Sequence, residues 1–128
     1  MKVQSKLGVT IPVPHKVYTA LLTQSGTDAP VATVLENTLG GTVVWTRAGV
    51  GEYIGTLAGA FPLNKCSIGN GDGDSGVIMY TDIINQQILM LSRVSVNTIK
   101  LTQFDSYFLA AATDGIASAV PVEIKVYP

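Results

Sequence analysis

The chain has 128 residues, enough for one domain with a buried core and too few for two. Its 8 Lys and Arg stand scattered against 9 Asp and Glu, which excludes the basic footprint of a nucleic-acid binder, and its single cysteine, Cys66, excludes an intrachain disulfide. Charged residues are 13% of the chain, about half the usual share, and mean hydropathy is positive, so part of the surface is expected to be covered by other subunits.

Residues 1–16 differ in character from the rest of the chain. Pro12 and Pro14 fix their own backbone, remove two donors and push Ile11 and Val13 toward extended shapes. The segment reads as an extended N-terminal arm or edge strand. It is expected either to dock on a neighbouring subunit or to fray. It holds no apolar core of signal-peptide length. No run in the chain approaches the roughly 20 apolar residues of a membrane span, so no membrane partner is expected.

Residues 16–59 then organise the rest. Apolar runs at 17–24, 31–36, 42–47 and 52–57 are rich in Val, Thr, Ile, Tyr and Trp, which suit a pleated, half-buried surface. The turn signals at 25–30, 38–41, 48–51 and 58–59 supply Gly, Asp or Pro. Patterning of period two places Tyr18, Ala20 and Leu22 on one face, then Val43, Trp45 and Arg47, then Tyr53, Gly55 and Leu57. This predicts an antiparallel meander or the start of a sandwich. Trp45, the single tryptophan, is expected as a core anchor; a ligand-stacking platform is the competing reading.

Further strands are predicted over 65–68, 77–84, 87–96, 98–104, 107–112 and 119–127. In 87–96, Leu89, Leu91 and Arg93 oppose Ile88, Met90, Ser92 and Val94. The alanines of 107–112 favour a helix, but the run is short and flanked by turns. In 119–127, Val120, Val122, Ile124 and Val126 form a β-branched face, and Pro121 suits an edge or the beginning of a strand. The expected fold is all-β: one antiparallel β-sandwich or jelly-roll-like domain over 17–128, preceded by the arm at 1–16.

Few residues suggest chemistry. Asn70, Asp72 and Asp74 alternate in a glycine-rich loop like the opening ligands of a calcium loop. The pattern then fails, with Ser75 where such a loop wants Gly and Thr81 where it wants Glu. No metal site is assigned, and the loop at 69–76 is expected to be solvated and outward-facing. His15, the only histidine, has no nucleophile or orienting carboxylate placed beside it. Cys66 has no second thiol or further histidine with which to hold zinc and is expected to be a small buried apolar residue. Glu36, Glu52, Asp82, Asp105 and Glu123 sit on separate runs, with nothing singling out a catalytic pair. No catalytic residue and no cofactor is expected.

The stretches ALLTQSGTDAPVATVLENTLG at 20–40, GTVVWTR at 41–47 and VEIKVYP at 122–128 resemble segments of small virion proteins of tailed bacteriophages, especially crAss-like phages and others of Bacteroidetes-type hosts. The resemblance implies a non-enzymatic structural component of the head-fibre, capsid-decoration or tail-fibre kind. It implies a homo-oligomer, often a trimer, assembled in the host cytoplasm into the virion. In that setting residues 1–16 would attach to other virion proteins. The alternative is a carbohydrate- or host-surface-binding module, with Trp45, Tyr53 and Tyr80 stacking on sugars.

Overall fold

A computed structural model describes the backbone of residues 2–4, 10–12, 15–68, 75–81, 86–104, 114 and 118–128, and the side chains of 15–68, 89–104, 114 and 118–128. Its strands are β1 (Lys2–Gln4), β2 (Thr10–Pro12), β3 (Lys16–Thr23), β4 (Val31–Asn37), β5 (Val44–Gly49), β6 (Glu52–Thr56), β7 (Cys66–Ile68), β8 (Ser75–Thr81), β9 (Gln86–Ser95), β10 (Thr98–Phe104) and β11 (Val120–Val126). No helix occurs among the described residues. The fold is a β-sandwich, as expected. One sheet has five strands in the order β5-β6-β10-β9-β8, the other four in the order β4-β3-β11-β7, and every pairing is antiparallel.

Alternation sets the two inner faces. Tyr18, Ala20 and Leu22 of β3 lie beside Val122 and Ile124 of β11, all essentially inaccessible. Facing them are Tyr53, Ile99, Leu101, Leu89 and Leu91 from β6, β10 and β9. Large apolar side chains buried this completely each contribute roughly 1.5–3 kcal/mol of transfer free energy. Trp45 is the expected core anchor at 7% exposure, and its indole N–H donates to the Tyr18 hydroxyl of the opposite sheet at 3.2 Å. Cys66 is buried, also as expected, and its thiol lies 3.4 Å from the Pro62 carbonyl.

The first four runs are not one meander. β3 pairs with β4 and β5 with β6, but the two hairpins belong to opposite sheets. Residues 38–43 carry the chain across. For this reason the third strand begins at Val44, two residues later than the pattern at 42–47 suggests. Leu39 and Val43 are buried in the crossing. The crossing is held by Asn37, whose amide Nδ2 donates to the Gly41 carbonyl at 2.7 Å while its Oδ1 accepts from the Leu39 N–H at 3.0 Å. Thr38 extends the β3 ladder, its N–H donating to the Val17 carbonyl and its hydroxyl accepting from the Val17 N–H, both at 2.8 Å.

Within 1–16, the segment with extended character, lie β1 and β2, which pair antiparallel with each other in a sheet of their own, and then the start of β3 at Lys16. The predicted strand at 107–112 and the loop at 69–74 lie outside the described residues. Pro121 occupies the second position of β11, ahead of the part that pairs with β7.

Candidate functional site

Three strand ends meet at one end of the four-stranded sheet. Lys16 opens β3, Val126 closes β11 opposite it, and Cys66 opens β7 on the other side of Val126. The ladder runs on past the strands, because the Tyr127 N–H donates to the Lys65 carbonyl at 2.8 Å. This register brings His15, Lys16, Lys65 and Tyr127 to one rim. Leu39 and Thr38 of the crossing wall one side, and the turn through Ala58 and Gly59 another. Together they enclose an open groove of about 580 Å³.

The chemistry of the groove is lopsided. Lys16 and Lys65 line it, and no lining residue carries an acidic side chain. Elsewhere the described cations have partners: Lys100 with Glu52 at 2.7 Å, Lys125 with Glu123 at 3.5 Å, Arg47 with Asp114 at 2.7 Å. Arg93 donates to the Phe61 carbonyl at 2.7 Å. His15 packs its ring at 5.2 Å, tilted, against Tyr127. Its Nδ1 is buried with no hydrogen-bond partner among the described residues. A buried polar atom left so costs about 1–3 kcal/mol.

A second cluster sits in the five-stranded sheet, at the β5–β6 turn. The guanidinium of Arg47 donates to both carboxylate oxygens of Asp114, at 3.2 and 2.7 Å. The Gly51 N–H donates to the same carboxylate at 3.0 Å, and so does the Tyr53 hydroxyl. The Arg47 hydrogen bonds, then those of Tyr53 and Gly51, hold the Asp114 carboxyl well below the ordinary carboxylate range. Burial, and then the hydrogen bond to Asp114, pushes the Tyr53 hydroxyl well above the ordinary tyrosine range. The cluster ties residue 114 to the β5–β6 hairpin, and among the described residues no nucleophile stands beside it.

Of the carboxylates that the sequence offers, the described three, Glu36, Glu52 and Glu123, do not converge. Glu36 on β4 and Glu123 on β11 flank Thr19 in register on the outer face of the four-stranded sheet, both exposed. They stand two strand spacings apart, about 9–10 Å. Glu52 belongs to the other sheet and pairs with Lys100. Asp82 and Asp105, like Asn70, Asp72 and Asp74, lie outside the described residues. Among the described residues no three His, Cys, Asp or Glu side chains are grouped to hold a metal. No helix there is long and apolar enough to cross a membrane.

As stacking surfaces, Trp45 and Tyr53 are withdrawn, being 7% and 0% exposed. Tyr80 is on β8, and its side chain is outside the described set. Among the described residues Tyr127 is the exposed aromatic ring, at 43%. Nothing in the local pattern singles it out, and Lys16 and Lys65 read there only as scattered bases. Their convergence depends on how β3, β7 and β11 are ordered.

Among the described residues one flank of the sandwich is open: at the β7 end, β7 packs also against β8 and β9, whereas β4 packs substantially on β3 alone. Ala32 and Val34 face inward, opposite Leu22 and Ala20, yet Val34 is 48% exposed. Leu35 occupies a bulge opposite the Thr19–Ala20 step and is 60% exposed, and Val31 at the strand's start is 69% exposed. Glu36 is the single charge of the strand.

Comparison of the chain with protein-family models, with curated proteins and with solved structures finds no match in any of the three.

Proposed function

We propose that this protein is a non-enzymatic structural subunit of a tailed-bacteriophage particle, a β-sandwich that works as a homo-oligomer in a head fibre or capsid decoration. The observation that carries the oligomer is the open flank along β4. An inward-facing valine that stays 48% exposed marks a core completed by something else. An edge strand with one charge in seven residues also lacks the lysines and prolines that ordinarily guard such an edge. A neighbouring copy packed against β4 would cover Val31, Val34 and Leu35. The low charge content supports the same reading. The virion setting, assembly in the host cytoplasm and the preference for a trimer rest on the resemblance of residues 20–47 and 122–128 to phage virion segments.

Light scattering on the purified protein tests the oligomer. Association is expected at micromolar concentration and is expected to fail in Val34→Lys, which buries a charge at the joint. A stable wild-type monomer would overturn it. Incorporation into particles tests the virion role. Deletion of residues 1–16 is expected to abolish incorporation while leaving the sandwich folded.

A further inference from the structure

We propose that the groove at the end of the four-stranded sheet is a binding site for an acidic saccharide, a sugar bearing a carboxylate. The inference goes beyond the structural role above and stands whether or not the chain oligomerises.

Charge argues for an anion. Lys16 and Lys65 line the groove with no acidic side chain among its walls, against the one main-chain carboxylate of Pro128, which is also in the lining. Among the described residues they are also the lysines without a carboxylate in ion-pair range. An ammonium left unpaired at a concave rim raises the local concentration of anions and binds a carboxylate as a point charge.

Shape and surface argue for a sugar. The groove volume of about 580 Å³ lies within the roughly 300–1,000 Å³ of small-ligand sites. Its aromatic wall is Tyr127, an exposed ring that packs tilted against His15. A flat ring suits the C–H face of a pyranose, and the phenol suits the wet edge of a site. Ala58 and Gly59 also line the groove and add little bulk to it. Apolar Val126 and Leu39 are present, but too buried to make a greasy slot for a fatty acid. The sequence-based sugar platform of Trp45 and Tyr53 is buried in the core; this site uses a different ring at a different place.

Titration of the intact protein, followed by amide NMR shifts at low salt, tests the proposal with three probes. These are a hyaluronan tetrasaccharide, the neutral chitotetraose and a short polyglutamate. The hyaluronan fragment is expected to shift amides of residues 15–16, 38–39, 58–60, 65 and 126–127, and to bind at least tenfold tighter than either other probe. Lys65→Gln and Tyr127→Ala are each expected to weaken it fivefold or more. No shifts in the groove would overturn the proposal. Equal binding of polyglutamate would reduce the site to bare charge, and equal binding of chitotetraose would remove the role of the lysines; either result overturns it. Should Tyr127→Ala unfold, Lys65→Gln, on an exposed side chain, and the wild-type probe ranking still decide.

Discussion

Arg47 and Asp114 lie 67 residues apart in the chain and meet in a two-pronged ion pair that also recruits the Gly51 N–H and the Tyr53 hydroxyl. The pair anchors residue 114 on the β5–β6 hairpin. The Gly51 carbonyl in turn accepts from the Gln103 N–H of β10 at 2.8 Å, so the anchor is joined to the centre of the five-stranded sheet. A bulge just after Arg47 turns Gly49 to pair with Glu52 and closes the hairpin over the pair.

Asp114 should make the protein acid-sensitive in a defined way. Its carboxyl titrates lower in the fold than in the unfolded chain, where the ordinary value is about 3.9. The unfolded state therefore binds more protons below that value, and stability falls as pH drops from about 4 toward the depressed folded value. Tyr53 is the mirror case. Its folded value is raised, so its contribution is complete below about pH 10 and is lost as pH rises beyond. In Asp114→Asn, Tm at neutral pH should drop by several degrees, and the Tm slope between pH 2 and 4 should flatten relative to wild type. Parallel acid slopes in the two proteins would contradict this.

The Trp45–Tyr18 bond ties the two sheets through a buried donor and a buried acceptor. Burial raises the Tyr18 hydroxyl above its ordinary value, and the indole bond only partly offsets this. Tyr18→Phe strands an indole N–H in the core and should cost about 1–3 kcal/mol. Trp45→Phe should cost at least as much, since it also opens space. The double variant should cost less than the sum of the two, by roughly 0.5–1.5 kcal/mol, in urea melts. Strict additivity would mean that the bond contributes nothing.

Gly55 sits opposite Trp45 in the β5–β6 ladder and opposite Ile99 in the β6–β10 ladder. A Cβ there would lie 3.0 Å from Val43, 3.1 Å from Ile99 and 3.1 Å from the Trp45 ring. Glycine is required by close approach, not by dihedral angle. Gly55→Val should destabilise by about 1–3 kcal/mol through overpacking and should red-shift Trp45 emission as the ring is displaced outward. A neutral urea midpoint would show that the ring has room to spare.

Gln24 is buried, at 2% exposure, and its amide nitrogen donates to the carbonyls of Ser25, Gly26 and Asp28 at 3.3, 2.9 and 3.0 Å. One side chain thus organises the β3–β4 turn. Gln24→Leu should cost about 1–3 kcal/mol. It should also speed amide exchange and proteolysis at residues 25–28 more than in β3 itself. Unchanged exchange in the turn would assign its order to the Asp28 N–H to Ser25 carbonyl bond instead.

Alternation along the chain was enough to determine the class of fold and most of its inner faces. Tyr18, Ala20 and Leu22, then Val120, Val122, Ile124 and Val126, could be assigned because a strand turns each successive side chain to the opposite face. The same reasoning could not see that VATVLEN would be exposed. That run is as apolar as its buried neighbours, and only its place at the end of the sheet order, beyond the cover of the other layer, leaves Val34 in water. Nor could it join Arg47 to Asp114, or His15 to Lys65 and Tyr127. Local periodicity carries no information about which strand ends become neighbours. Strand order and register alone decided where unpaired charge and an exposed ring would meet.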